Sequence, residues 1–172
     1  MMREAAVLVP VYRRQDGQLV VVLVRRAQGG VHGGQLALPG GLRDSGDADL
    51  AATALREANE ELGLAADRVE LLAALPVVET QTTGFRIAPF LARLAAPPSW
   101  RLQEREIGEV VELPVAELAR PEVCAEQVRD FPTWPAPRRI RLWRVGGHEV
   151  WGVTYRILEP LVPRLLGGEW PL

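Results

Sequence analysis

Three carboxylates, Glu57, Glu60 and Glu61, crowd one short run, Arg56-Glu57-Ala58-Asn59-Glu60-Glu61-Leu62-Gly63-Leu64, and Leu38-Pro39-Gly40-Gly41 precedes it. Carboxylate oxygens are hard ligands suited to Mg²⁺ or Mn²⁺. Mg²⁺ in particular is usually held by one or two carboxylates, several waters and substrate phosphate oxygens. The residue types therefore point to phosphate chemistry through a divalent metal. Gly40 and Gly41 allow close backbone approach, so a carbonyl there can complete the coordination of a metal held by Glu57 and Glu61.

The glutamates need a helix to bring them together, and the sequence predicts one. Ala51, Ala54, Leu55, Ala58 and Leu62 recur at three- and four-residue spacing, the pattern of an amphipathic helix with its apolar face inward. Glu57 and Glu61 then become i,i+4 neighbours. Like charges at that spacing cost a helix roughly 0.2–0.5 kcal/mol per pair, a sign that a bound divalent cation reverses. Asp47 or Asp49 is placed to cap the start, and Gly63 to stop the end. Taken alone, the three glutamates match an ordinary solvated face with an Arg56–Glu60 ion pair. The complete string of Arg, Glu, Gly and apolar positions should arise by chance in fewer than about one chain of this length in ten thousand.

Gly41, Asp47, Arg56-Glu57, Glu60-Glu61 and Gly63 resemble the Nudix box, the strand-loop-helix signature of hydrolases that cut nucleoside diphosphates linked to another moiety. Asp47 stands where Glu is usual, and the gap from it to Arg56 is one residue longer than the common pattern. The longer loop, with Val22-Leu23-Val24-Arg25-Arg26 and His32-Gly33-Gly34-Gln35 upstream, resembles the coenzyme A diphosphohydrolase branch of that family. Leu38, Arg26 and Gly30 replace that branch's usual Phe, Ser and Arg. Val150-Trp151-Gly152-Val153-Thr154-Tyr155-Arg156-Ile157-Leu158 looks like its closing segment, so the resemblance runs over about residues 5–166.

The resemblance implies an α/β fold, an α/β/α sandwich with a mixed sheet, as a single domain over residues 1–172. It also implies a metal site at Glu57, Glu60, Glu61 and Gly40, with Arg56 beside them. The general base is Glu60 or a glutamate from a later loop, Glu104 or Glu106, with Glu106 favoured because Glu106-Ile107-Gly108-Glu109-Val110-Val111 resembles the family's later segment. Arg25, Arg26, His32, Gln35, Gly40, Gly41 and Thr83 are the candidate substrate contacts. Each has a plain alternative, as a strand-end charge, an exposed turn or a structural loop. His148 is expected at an exposed hairpin tip. Trp134, Trp143 and Trp151 can stack adenine, but large aromatics in a chain of this size are expected in the core or at a subunit interface. A homodimer thus stays open.

Composition agrees with a small enzyme acting on a small-molecule nucleotide. At 172 residues the chain can bury about 70% of its unfolded surface. Its net charge of −2 comes without like-charge blocks, which suggests neither nucleic acid nor a membrane surface as partner. All of its basic residues are Arg, and none is Lys; Arg binds phosphate bidentately, so anion recognition loses nothing. Cys124, the single cysteine, is expected to be a buried inert thiol. The apolar run at Ala5–Val11 is too short to span a bilayer, and a cytoplasmic location is expected.

Strand patterns fall at Ala5–Tyr12 and Gln18–Arg25, joined by a turn at Gln15-Asp16-Gly17. Gln35–Leu38, Val69–Val77, Phe85–Leu94 and Ile107–Leu113 read as further strands. Pro114–Arg120 reads as a short helix with Pro in first position. Ile140–Val145 and Glu149–Val153 suggest a hairpin, and Thr154–Leu166 a helix that Pro160 and Pro163 must kink or restart. Three functions remain: a metal-dependent coenzyme A hydrolase, a Nudix hydrolase of ADP-ribose, dinucleotides or damaged nucleoside triphosphates, and a non-catalytic nucleotide-sensing module. The intact glutamates argue against the last.

Overall fold

A computed structural model describes residues 1–30, 32–95 and 98–172. The main sheet is built on β1 (Arg3–Arg13) and β2 (Leu19–Arg26), an antiparallel pair in which Tyr12 faces Val20. Between them Gly17 takes φ 84° and Asp16 Oδ1 accepts from the Gln18 amide at 2.9 Å, the expected turn. β7 (Phe85–Leu94) pairs with β1 in parallel, and β8 (Ile107–Pro114) pairs with β2 antiparallel. The sheet is mixed, as expected.

Along β1 and β2, buried residues alternate between the two faces, because successive strand side chains point opposite ways. Val9, Val11, Val21 and Leu23 join the core shared with α3 (Gly152–Leu166). Leu8, Val20, Val22 and Val24 join the core under α1 (Leu50–Leu62), where Ala54, Ala58 and Leu62 are fully buried. Helices therefore cover both faces, giving the α/β/α sandwich. A second sheet of β9 (Cys124–Arg129), β10 (Arg138–Val145) and β11 (His148–Val150) adds Trp143, Val145 and Val150 to the α3 side.

Several boundaries differ from the sequence reading. The strand expected over Val69–Val77 stops at Ala74 as β5 (Val69–Ala74), and Pro76 separates it from β6 (Val78–Thr80); both pair with β7. Proline lacks the N–H that a continuous ladder needs. The strand expected at Gln35–Leu38 shortens to β3 (Leu36–Ala37), and the glycine segment after it forms a further strand, β4 (Gly40–Leu42), which pairs with Ala5–Val7 of β1. Pro114 closes β8 and caps the short α2 (Val115–Leu118) instead of opening it.

One helix, α3, runs through both Pro160 and Pro163 without restarting. Burial of Tyr155, Leu158, Leu161, Val162 and Leu165 on one side offsets the missing amides. Cys124 is exposed, not buried, because it opens β9 on the small sheet. Among the described residues no helix is long and apolar enough to cross a membrane.

Candidate active site

Helix α1 forms as its sequence dictates. Asp49 Oδ1 accepts from the Ala52 amide at 2.8 Å as the N-cap, and Gly63 closes the helix at φ 70° with its amide on the Asn59 carbonyl. Its apolar face docks on β1 and carries Glu57 and Glu61 against the glycine strand β4. The Glu61 carboxylate accepts from the Gly40 amide at 3.1 Å and is only 2% exposed. A Cβ on Gly41 would stand 2.4 Å from Glu57 Oε1, so a side chain there would push the glutamate out of its place.

Burial pushes the Glu61 carboxyl up to about 7, more than the nearby Arg26 guanidinium and the Gly40 amide draw it down; Glu57 and Glu106 add repulsion. Burial also raises Glu57, against the pull of Arg56 and with repulsion from Glu60 and Glu106. Two adjacent carboxylates whose charged form burial disfavours are short of positive charge, and a cation supplies it. Among the described residues no three His, Cys, Asp or Glu side chains gather as a ready cage. The donor set is two carboxylates beside backbone, all hard oxygen, which fits Mg²⁺ or Mn²⁺ completed by water and substrate oxygens.

Asp47 has a larger part than a helix cap. Its two oxygens accept from Arg56 Nε at 2.9 Å and Nη2 at 3.0 Å, and Oδ2 also accepts from Thr53 Oγ1 at 2.8 Å. The Arg56 hydrogen bonds, with that from the Asp44 amide, hold the Asp47 carboxyl well below the usual range. Arg56 also donates to the Leu42 carbonyl at 2.9 Å, to Glu57 at 3.0 Å and to Glu60 at 3.1 Å. One guanidinium thereby ties the loop, the glycine strand and the helix. Glu60 is left on the exposed rim, its side chain 55% accessible.

The remaining candidates divide. A β-bulge at Arg25/Arg26 faces the turn into β8. Arg25 donates to Glu109 at 2.6 Å and to the Gly34 carbonyl at 3.0 Å, and meets His148 Nδ1. It is spent on holding β2, β8 and β11 together, and His148 is half-buried against it instead of standing free at its hairpin tip. Arg26 turns the other way and lines a cavity of about 740 Å³ with His32, Gln35, Gly40, Gly41 and Thr83. Thr83 Oγ1 shares a 2.6 Å hydrogen bond with Thr80. Glu106 is exposed before β8, near enough to raise both Glu57 and Glu61.

The same cavity holds residues that the sequence did not single out, Phe131, Arg138 and Arg139, together with Arg156 of the closing segment. Trp134 and Trp151 line it too, whereas Trp143 is core, 3% exposed and 4.9 Å from the Tyr155 ring. The signal was present in Phe131-Pro132-Thr133-Trp134 and Arg138-Arg139. Nothing local says that this stretch folds back over the glycine strand.

Comparison with known proteins supplies the family. The model of the NUDIX domain matches residues 2–134. The Nudix hydrolase NudL of Salmonella paratyphi B is 38% identical over 165 residues, covering 92% of this chain and 81% of that protein. Among solved structures, the Nudix hydrolase RenU of M. smegmatis has a TM-score of 0.66 at 23% identity, covering 99% of this chain and 89% of that one. An Ap4A hydrolase of C. elegans has a TM-score of 0.56 at 21% identity, covering 67% and 82%. The NUDIX domain of Shewanella oneidensis NrtR, solved with ADP ribose, has a TM-score of 0.53 at 22% identity, covering 69% and 76%. Domain match and sequence identity together make this chain a Nudix hydrolase, of a family that cuts pyrophosphate bonds in small nucleotide substrates and generally uses divalent metal ions.

Proposed function

We propose that the protein hydrolyses the pyrophosphate linkage of coenzyme A or a derivative, giving 3′-phosphoadenosine 5′-phosphate and 4′-phosphopantetheine, with Mg²⁺ or Mn²⁺. The observation that carries this reading is a cavity of about 740 Å³. It is lined by Gly40 and Gly41, the strand against which Glu61 and Glu57 pack, and by an aromatic and arginine-rich wall, and its volume lies in the range of small-molecule and cofactor sites. The likeness of the Arg25-Arg26 and Val150–Leu158 segments to the coenzyme A branch supports the same substrate.

Glu57 and Glu61, with the backbone at Gly40 and Glu60 at the rim, are the groups that would hold the metal. When bound, divalent cations neutralise pyrophosphate charge and orient an in-line displacement. Arg56 fixes the Glu57 carboxylate. Arg26 meets the anionic substrate at the cavity wall. Glu106 takes the proton from the attacking water, while the P–O bond opposite breaks and its electron pair leaves with the departing phosphate. Glu60 serves this role less well, because Arg56 holds it as an ion pair.

The test is turnover of a panel with Mg²⁺ or Mn²⁺: coenzyme A, ADP-ribose, NADH, diadenosine polyphosphates and 8-oxo-dGTP. Coenzyme A should give the highest kcat/KM, and its two phosphomonoester products should appear in equal amounts. Cleavage of another member with coenzyme A left intact overturns the substrate assignment.

A further inference from the structure

The family model ends at Trp134, yet much of the cavity wall comes from beyond it, from Arg138, Arg139, Trp151 and Arg156. Here Phe131 stands 5.0 Å from Trp134 and 5.1 Å from Trp151, and the two indoles meet edge-on at 82° with centroids 6.3 Å apart. Such an L-shaped aromatic corner offers one ring face for stacking and one ring edge as a side wall. All three rings are only half-buried, so each keeps part of its surface open to the cavity.

The guanidiniums around the corner are not equivalent. Arg129 covers the Trp151 ring at 5.0 Å and is fastened by Glu149. Arg139 reaches Glu126 at 3.3 Å, and Arg156 donates to the Glu79 carbonyl at 3.1 Å. Arg138 lies over Trp134 at 5.6 Å, is exposed, and has no carboxylate partner among the described residues. A cation left without a counter-ion at the lip of an aromatic site suits a ligand that carries an anion next to a flat ring.

We propose that this corner is a purine-nucleotide subsite: the base stacks on the Trp134 indole, and Arg138 binds a phosphate monoester on the same nucleoside's ribose. The subsite lies in the small sheet and its approach, outside the segment that carries the metal-binding glutamates. It rests on the pyrophosphate reading of the shared cavity and adds which end of the substrate lies where.

Isothermal titration calorimetry on the metal-free protein tests it, with 3′-phosphoadenosine 5′-phosphate, adenosine 5′-phosphate and 4′-phosphopantetheine as probes. The doubly phosphorylated nucleotide should bind about tenfold tighter than adenosine 5′-phosphate, as a charge-assisted pair predicts. Trp134→Ala should weaken both nucleotides by about tenfold, the usual loss for a stacked base, and Trp134→Phe should restore most of it. Arg138→Gln should erase the difference between the two nucleotides while adenosine 5′-phosphate still binds. Equal binding of the two nucleotides by the wild type overturns the proposal, as does Trp134→Ala binding like wild type. Competition by 4′-phosphopantetheine for the nucleotide site would also overturn it. Hydrolysis is read separately. Coenzyme A cleavage with KM unmoved by Trp134→Ala removes the subsite and leaves the activity. The expected binding pattern without coenzyme A cleavage removes the substrate assignment and leaves the subsite.

Discussion

The carboxylate of Glu61 accepts the Gly40 amide at 3.1 Å across 21 residues of chain, so the last turn of α1 and the glycine strand hold each other in register. That bond uses one lone pair of a nearly inaccessible carboxylate. Glu61→Gln keeps an oxygen acceptor for Gly40 and removes the charge. Activity should fall by about a hundredfold or more, as expected when a metal ligand is lost, while the thermal midpoint at pH 8 stays level or rises. Retained turnover at saturating metal, or a collapsed midpoint, would contradict this role.

The same residue sets a pH dependence. Its folded-state pKa of about 7 lies above the ordinary 4.5, so the folded protein holds the proton more tightly than the unfolded chain. That contribution is fully present below about pH 4.5 and is lost as pH rises through about 7, at most about 3 kcal/mol. Glu57, also raised by burial, acts in the same direction. Metal-free protein should therefore melt at lower temperature at pH 8 than at pH 5.5, with a smaller difference in Glu61→Gln. Added Mg²⁺ or Mn²⁺ should stabilise most at the higher pH. Differential scanning calorimetry at both pH values reads all three.

Adjacent glycines should fail in different ways. A Cβ on Gly40 would sit 2.3 Å from the Ala6 carbonyl oxygen and 2.7 Å from Val7 Cα, atoms of a buried strand that cannot yield. Gly40→Ala should destabilise by about 1–3 kcal/mol, the range for overpacking. On Gly41 the nearest atoms are the tip of Glu57, which can swing aside. Gly41→Ala should fold nearly as wild type and lose about a hundredfold in kcat, the scale of a roughly 1 Å misplacement. Urea midpoints and kcat measured together separate the two.

Arg56 bonds Asp47 through two nitrogens and also reaches Leu42, Glu57 and Glu60. A lysine ammonium cannot reproduce that planar fork. Arg56→Lys should lose about 10- to 100-fold in activity, as when partners that orient metal ligands are removed. The apparent metal constant should weaken with it.

Glu106→Gln should lower kcat by about 10²- to 10⁴-fold with little change in metal affinity, the pattern for loss of a general base. Glu60→Gln should cost less, because its carboxylate is exposed and already paired with Arg56. The reverse order would move the base to Glu60.

Much of this protein was legible from local chemistry. The α1 helix with its Asp49 cap and Gly63 stop, the Gln15-Asp16-Gly17 turn and the span of β7 follow from patterns within a few residues of each other. So does the pairing of Glu57 with Glu61, because a helix of fixed pitch brings them to one face whatever surrounds it. Family resemblance in the glycine strand and helix likewise needs only those residues.

Tertiary structure decided what depends on distant partners. Arg25 and Arg26 look equivalent in sequence, but strand alternation sends one to Glu109 and His148 and the other into the cavity beside Glu61. Of three tryptophans, Trp143 is buried against Tyr155, whereas Trp134 and Trp151 wall the site. Asp47 reads locally as a cap, and only the folded loop gives it to Arg56. Burial, charge pairing and ring exposure depend on contacts far apart in the chain, and those contacts exist only once both faces of the sheet are covered.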